Sequence, residues 1–186
     1  MINGIVYHGS NINGLQIIEP KVSSHGKSYV YATTNKIIAT LFLARWNDYI
    51  FRLGHFNGRL HIVENYPKAL KEIYKDKFGY IYELSGKNFI KEKNMWGGEV
   101  VSTHPVKVLR CDIIENILDK LYEYKNNNSL DIYEYPMRPS CYPHNDSDLL
   151  EKFKLNVSTF GKSQLQEFIK YHPNLEKEAN DIIRTL

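Results

Sequence analysis

Three short stretches of this chain carry side chains that could work on a bound small molecule. The first, Ile5-Val6-Tyr7-His8-Gly9-Ser10, is a run of β-branched and aromatic residues ending at a glycine, where a strand stops and a turn begins. His8 stands at that end with a ring that donates or accepts a hydrogen bond, beside a Gly9 backbone with no Cβ to obstruct a flat ligand. The second, Ser28-Tyr29-Val30-Tyr31-Ala32-Thr33-Thr34, is another β-rich run with two aromatic rings. The third, Gly97-Gly98-Glu99-Val100-Val101-Ser102, opens a strand with a carboxylate. On its own residues the first stretch is either a place to hold a small molecule or a strand end with a satisfied histidine.

The elements that must position these groups are legible from periodicity. Side chains alternate along a strand, so Tyr29 and Tyr31 share a face. From Asn35 the spacing predicts a helix with Ile38, Ala39, Leu41, Phe42 and Ala44 on or near one side, capped by Thr34 or Asn35. Lys21 to Lys27, containing His25, is a polar loop. Asn47 to Leu60 and His61-Ile62-Val63-Glu64 read as short strands joined by a turn and as scaffold, with His55 and His61 structural or exposed. Pro67 to Lys77 reads as a short charged helix and Phe78 to Leu84 as an alternating strand. Ser85 to Trp96 is a polar loop in front of Glu99, and Pro105 separates the Glu99 strand from a last one. Asp112 to Lys125, Asp148 to Leu155 and Lys162 to Leu186 read as helical, around an irregular Pro- and Tyr-rich stretch from Asp131 to Asp146.

Composition narrows the class. The 186 residues are 42% hydrophobic and 24% charged, enough for one substantial core, and no apolar run approaches the ~20 residues that span a bilayer. The first residues lack the basic, apolar and small-residue succession of an export signal, so the expected compartment is the cytoplasm, with no membrane partner. The net charge of +3 is dispersed, which disfavours a dedicated nucleic-acid binder. Heavy use of Lys, Asn, Ile and Tyr fits an AT-rich bacterial genome. Cys111 and Cys141 are expected to be free thiols. Cys141-x-x-His144 lacks a second ligand pair, so no metal site is expected.

Taken in order, His8-Gly9, then Tyr31-Ala32-Thr33 before a helix with an Ala-x-x-Phe pattern at Ala39 to Phe42, then Glu99-Val100-Val101-Ser102, resemble the ADP-ribosyltransferases of the His-Tyr-Glu type. That group includes diphtheria-like toxins and poly(ADP-ribose) polymerases, and the short spacing is also similar to small bacterial rifampin-modifying enzymes. The resemblance covers residues 5–112. It implies an α+β fold, an ADP-ribosyltransferase-like split β-sheet core over residues 1–112 that grips NAD, and a mostly helical C-terminal extension over residues 113–186. The implied activity is toxin-like mono-ADP-ribosyl transfer, with NAD as the substrate.

The resemblance also assigns roles. His8 would hydrogen-bond a ribose hydroxyl, the Gly9 backbone would pair with the nicotinamide carboxamide, and Ser10 and Ala32 would line the same site. Tyr31, directly before alanine, would stack on nicotinamide, with Tyr29 as the fallback, and Phe42 would close the ring's second face or belong to the core. Glu99 would bind the nicotinamide-ribose 2′-hydroxyl and carry catalysis, because breaking the nicotinamide–ribose bond passes through an oxocarbenium-like state that a carboxylate stabilises. His25 lies in the loop expected over the adenosine end, and Trp96 could stack on an acceptor. The first strand holds no arginine, and Gly97 stands two residues before Glu99 where arginine-modifying relatives have Glu or Gln, which disfavours that subgroup. The acceptor, whether protein, nucleic acid or small molecule, stays open, as does an antitoxin or regulatory partner. Three other readings share the pattern: a catalytically silent NAD- or ADP-ribose-binding module, an NAD glycohydrolase, and an RNA 2′-phosphotransferase.

The tail has its own signature. Leu175, Ala179, Ile182, Ile183 and Leu186 fall at near-helical spacing, giving an apolar face expected to dock on the rest of the domain, so that residues 113–186 buttress the NAD-binding core.

Overall fold

A computed structural model describes residues 2–22, 26–92 and 98–186. In chain order the elements are β1 (Ile5–Ser10), β2 (Ile17–Ile18), β3 (Lys21–Val22), β4 (Ser28–Thr33), α1 (Lys36–Leu41), β5 (Phe51–Phe56), β6 (Arg59–Glu64), α2 (Ala69–Tyr74), β7 (Gly79–Ser85), β8 (Glu99–Ser102), β9 (Val106–Ile114), α3 (Ile117–Asn126), β10 (Asp131–Tyr133), α4 (Ser147–Phe160), α5 (Gln164–Tyr171) and α6 (Glu176–Thr185). The protein is mixed α+β, and the chain forms two compact units, residues 1–45 with 74–124 and residues 46–73 with 125–186. A cut at residue 112, as the resemblance suggested, would sever β9 and separate α3 from the unit it belongs to.

The first unit is built on an antiparallel sheet ordered β2-β9-β7-β1-β4-β3, with β8 paired to β4. Val6, Val30, Ala32, Tyr82, Leu84, Val100 and Val106 alternate onto one face and bury a common core with Ile18 and Phe89. α1 packs on β1, β4 and β7. Asn35 is its N-cap, with the side-chain carbonyl accepting from Ile37 N–H at 2.9 Å. The helix is shorter than its apolar pattern suggests. Leu43 and Ala44 donate to the carbonyls of Thr40 and Leu41, so the chain tightens into i→i+3 turns after Leu41.

Two glycines admit α1. A Cβ on Gly9 would stand 2.5 Å from the Ala39 carbonyl oxygen, and one on Gly79 would stand 2.7 Å from Leu43 Cδ2. The helix expected from Asp112 begins at Ile117, because Asp112, Ile113 and Ile114 pair with Ile81, Tyr80 and Gly79 of β7. Strand pairing there outweighs the local helical pattern.

In the second unit β5 and β6 form a hairpin around Asn57-Gly58, both with positive φ (51° and 77°), the backbone that Asn-Gly favours in a two-residue turn. β10 adds to β6 in parallel, Asp131 opposite His61. α4, α5 and α6 bury Leu149, Phe153, Val157, Phe168, Leu175 and Ala179 around Tyr49. The apolar face of α6 is therefore spent on α4, α5 and the Tyr49 segment, a core the tail shares with residues 46–73. Among the described residues no helix is long and apolar enough to cross a membrane.

Candidate functional site

Two of the residues singled out by type, His8 and Tyr31, meet where two strands part. Among the described residues β1 and β4 share one register pair, Tyr7 opposite Thr33. Beyond it His8, Gly9 and Ser10 continue to pair with Tyr82, Ile81 and Tyr80 of β7, while Ala32, Tyr31 and Val30 pair with Val100, Val101 and Ser102 of β8. The sheet thus opens between His8-Gly9-Ser10 on one side and Tyr31-Ala32 on the other.

His8 spans the opening. Its Nδ1 lies 2.7 Å from the Tyr31 carbonyl oxygen. A carbonyl can only accept, so Nδ1 carries the proton and Nε2 of the neutral ring keeps its lone pair. Burial is the main cause that pushes the His8 pKa below the usual histidine value, and Lys21 pushes the same way against the Tyr31 carbonyl. The lowered value favours the neutral ring.

Glu99 opens β8 opposite Thr33, the residue that also faces Tyr7. Cross-strand partners and alternate residues share a face, so Glu99 and Tyr31 project from the same side of the sheet, one row apart, while His8, opposite Tyr82 and alternate to Val6, leaves β1 on the other side and reaches Tyr31 only at its carbonyl. The two tyrosines divide as their surroundings dictate. Tyr29 is 2% exposed and donates its hydroxyl to Glu92 Oε1 at 2.8 Å. It meets the half-buried Tyr31 ring edge-on at 5.8 Å between centroids. Tyr29 supports, and Tyr31 is the ring with an open part.

Other expected site residues have different tasks. The side of Gly9 that lacks a Cβ faces α1 and not a ligand, as the 2.5 Å approach to Ala39 requires. Ser10 Oγ accepts from the Ile12 N–H at 3.1 Å and closes the turn after β1. The Ala32 side chain lies in the core with Val6, Val30 and Val100. Phe42 is 56% exposed at the C-cap of α1, so it is a surface residue and not part of the core. His25, Trp96 and Gly97 lie outside the described residues.

Two charged clusters carry no short-range signal in the sequence. In the first unit Lys36 of α1 bonds Asp112, lies 4.0 Å from Glu83, and sits over the Tyr7 ring at 5.8 Å. Arg110 adds a bond to Asp112 at 2.9 Å, and hydrogen bonding from Lys36 holds the Asp112 carboxyl below its usual pKa. This cluster ties α1 to β7 and β9 on the Tyr7 face. In the second unit Arg52 pairs with Asp148, and Arg138 bonds Asp146, Asp148 and the carbonyls of Pro143 and Asn145. Buried His61 meets the Tyr142 hydroxyl at 3.0 Å in space left by Gly54, whereas His55 is exposed. Asp48, Arg52, Leu53, Tyr142, Asp148 and Lys152 line a cavity of about 260 Å³ there.

Compared with models of known families, with curated proteins and with solved structures, the chain gives no significant match.

Proposed function

We propose that this protein is a mono-ADP-ribosyltransferase on an ADP-ribosyltransferase-like split sheet, with NAD as its substrate and the opening between β1 and β4 as its nicotinamide site. The observation that carries this reading is the hydrogen bond from His8 to the Tyr31 carbonyl across the parted strands, with Glu99 on the Tyr31 face of the adjoining strand. Each group has a chemical task there. His8 Nε2 accepts from a ribose hydroxyl. The Gly9 backbone pairs with the carboxamide, and Tyr31 stacks on the nicotinamide ring while Phe42 covers its outer face.

The bond between ribose C1′ and the nicotinamide nitrogen breaks, its electron pair leaving with the ring and neutralising the pyridinium. Glu99, hydrogen-bonded to the 2′-hydroxyl, stabilises the positive charge this leaves on the ribose. A nucleophilic atom of the acceptor then bonds C1′ and gives up its proton.

Incubation with NAD labelled on the adenylate, with and without cell lysate, tests the reading. Free nicotinamide together with labelled macromolecules is the expected result. Nicotinamide without labelled product would make the protein a glycohydrolase, and binding without nicotinamide release would make it a silent module.

A further inference from the structure

Among the described residues, no strand faces the outer edge of β9 over most of its length. β2 covers it at Val106 and Lys107, and Gln16 accepts from Val108 N–H. Beyond that, among the described residues, β9 pairs with β7 alone. Leu109, Arg110, Cys111 and Ile113 are exposed, Leu109 at 57% and Ile113 at 62%. A bare edge with apolar side chains is a template for another strand, and proteins that stay apart blunt such edges with charge, proline, bulges or cover. The β9 edge carries one basic and one acidic residue, and Leu109 is an extra residue in a bulge between the Glu83 and Leu84 pairings.

What those residues fit is their own copy. Read outward from Cys111, the uncovered stretch is complementary to itself: Arg110, which bonds Asp112 within the chain at 2.9 Å, also answers Asp112 of a second copy, and Leu109 answers Ile113. Two β9 strands placed antiparallel about a two-fold axis at Cys111 set each Arg110 opposite Asp112 of the other copy and each Leu109 opposite Ile113 of the other copy. The uncovered length suits that register, because the β2 segment blocks one end up to Val108 and β9 stops at Ile114 at the other.

We infer that the outer edge of β9 is a self-association surface through which two copies of this chain join their sheets about Cys111. The contact is isologous, so it closes at two copies. A ladder of this length gives a concentration-dependent dimer and not an obligate one. β9 is two strands from the opening between β1 and β4, so pairing leaves that site accessible and does not depend on its assignment.

Sedimentation velocity on the full chain, over roughly 1 to 200 µM, should follow a monomer–dimer equilibrium. Arg110→Asp sets acid against acid and Asp112→Arg sets base against base, so each variant alone should dimerise about tenfold or more weakly. Mixed together they restore two opposite-charge pairs and should dimerise like the wild type. A wild type monomeric throughout, or Arg110→Asp dimerising as the wild type does, would overturn the inference. Asp112 also holds Lys36, so should Asp112→Arg fail to fold, the decision passes to cross-linking. A Cys141→Ser protein treated with a short bis-maleimide should form a covalent dimer through Cys111, and Arg110→Asp should reduce its yield. Absence of that cross-linked dimer also sinks the proposal.

Discussion

His8 Nδ1 donates to the carbonyl oxygen of Tyr31 at 2.7 Å, and this bond joins the two strands where their ladder has come apart. It fixes the tautomer and aims Nε2 away from Tyr31 as an acceptor. Nitrogen-detected NMR should find the His8 proton on Nδ1 and a titration midpoint below the usual 6.5, since burial is its largest cause. NAD affinity should then hold from neutral pH down to that lowered midpoint and fall below it, as protonated Nε2 can no longer accept. A midpoint above 6.5 would contradict the geometry. His8→Ala should weaken NAD binding and turnover together.

Glu99→Gln keeps the shape of the side chain and removes its charge. Nicotinamide release should be abolished while NAD binding stays within several-fold, measured by calorimetry beside a nicotinamide assay. Turnover retained in this variant would remove Glu99 from the chemistry.

Tyr29 and Tyr31 should separate by what their loss affects. Tyr29→Ala empties a buried site and breaks the bond to Glu92, so it should lower stability by about 3 kcal/mol in denaturant unfolding. Tyr31→Ala should cost less stability and chiefly weaken NAD binding and turnover. The reverse pattern would make Tyr29 the stacking ring.

At Gly9 the smallest side chain already collides with α1. Gly9→Ala should destabilise the fold by about 2 kcal/mol, because the Ala39 carbonyl is backbone and cannot swing aside. An unchanged melting temperature would mean that α1 is seated less closely than its contact with β1 implies.

Acid should loosen the second unit through His172. This ring is buried, lies 2.6 Å from the Tyr49 carbonyl, and has its pKa lowered chiefly by burial, helped by Arg52 and Arg138 and opposed by Tyr49 and Asp146. The folded value is below the unfolded one, so between the two the unfolded chain binds more protons. Its contribution is therefore complete above about pH 6.5 and is lost as pH falls through the folded value. His8 and His61, lowered for the same reason, act in the same sense. Melting temperatures should be level above about pH 7 and drop toward about pH 5.5, less steeply in His172→Gln. Equal slopes in both proteins would exclude His172 as a source.

Sequence periodicity located β1, β4, β7 and β8, and the Asn35 cap was visible because an Asx side chain preceded an apolar helical run. Within the proposed site, Tyr31 before alanine and Glu99 at a strand start were legible as types. What Gly9 makes room for was not, since it depends on Ala39, thirty residues away in another element. The same holds for Ala32, whose small side chain suits a core and a ligand wall equally, and for Phe42, whose helical spacing matches residues that are buried although the helix ends just before it. Ile113 and Ile114 read as helix because pairing with Tyr80 and Gly79 has no local signature. The division of the chain escaped for a related reason, as residues 46–73 find their partners beyond residue 124.

That discontinuity has a consequence for how the molecule is made. Every residue of the first unit has been synthesised once Tyr124 is joined, including all the strands around His8, Tyr31 and Glu99. The β5–β6 hairpin, made earlier, then still lacks β10 for its edge, Asp148 for Arg52 and the Phe153–Phe168 pair for Tyr49. During translation at about 5–20 residues per second, the hairpin therefore waits several seconds for residues 125–186, with Arg52 unpaired and Tyr49 uncovered. A nascent chain halted shortly after residue 124 would carry the complete set of proposed NAD-binding groups and an orphaned hairpin, the segment a chaperone or protease would meet first.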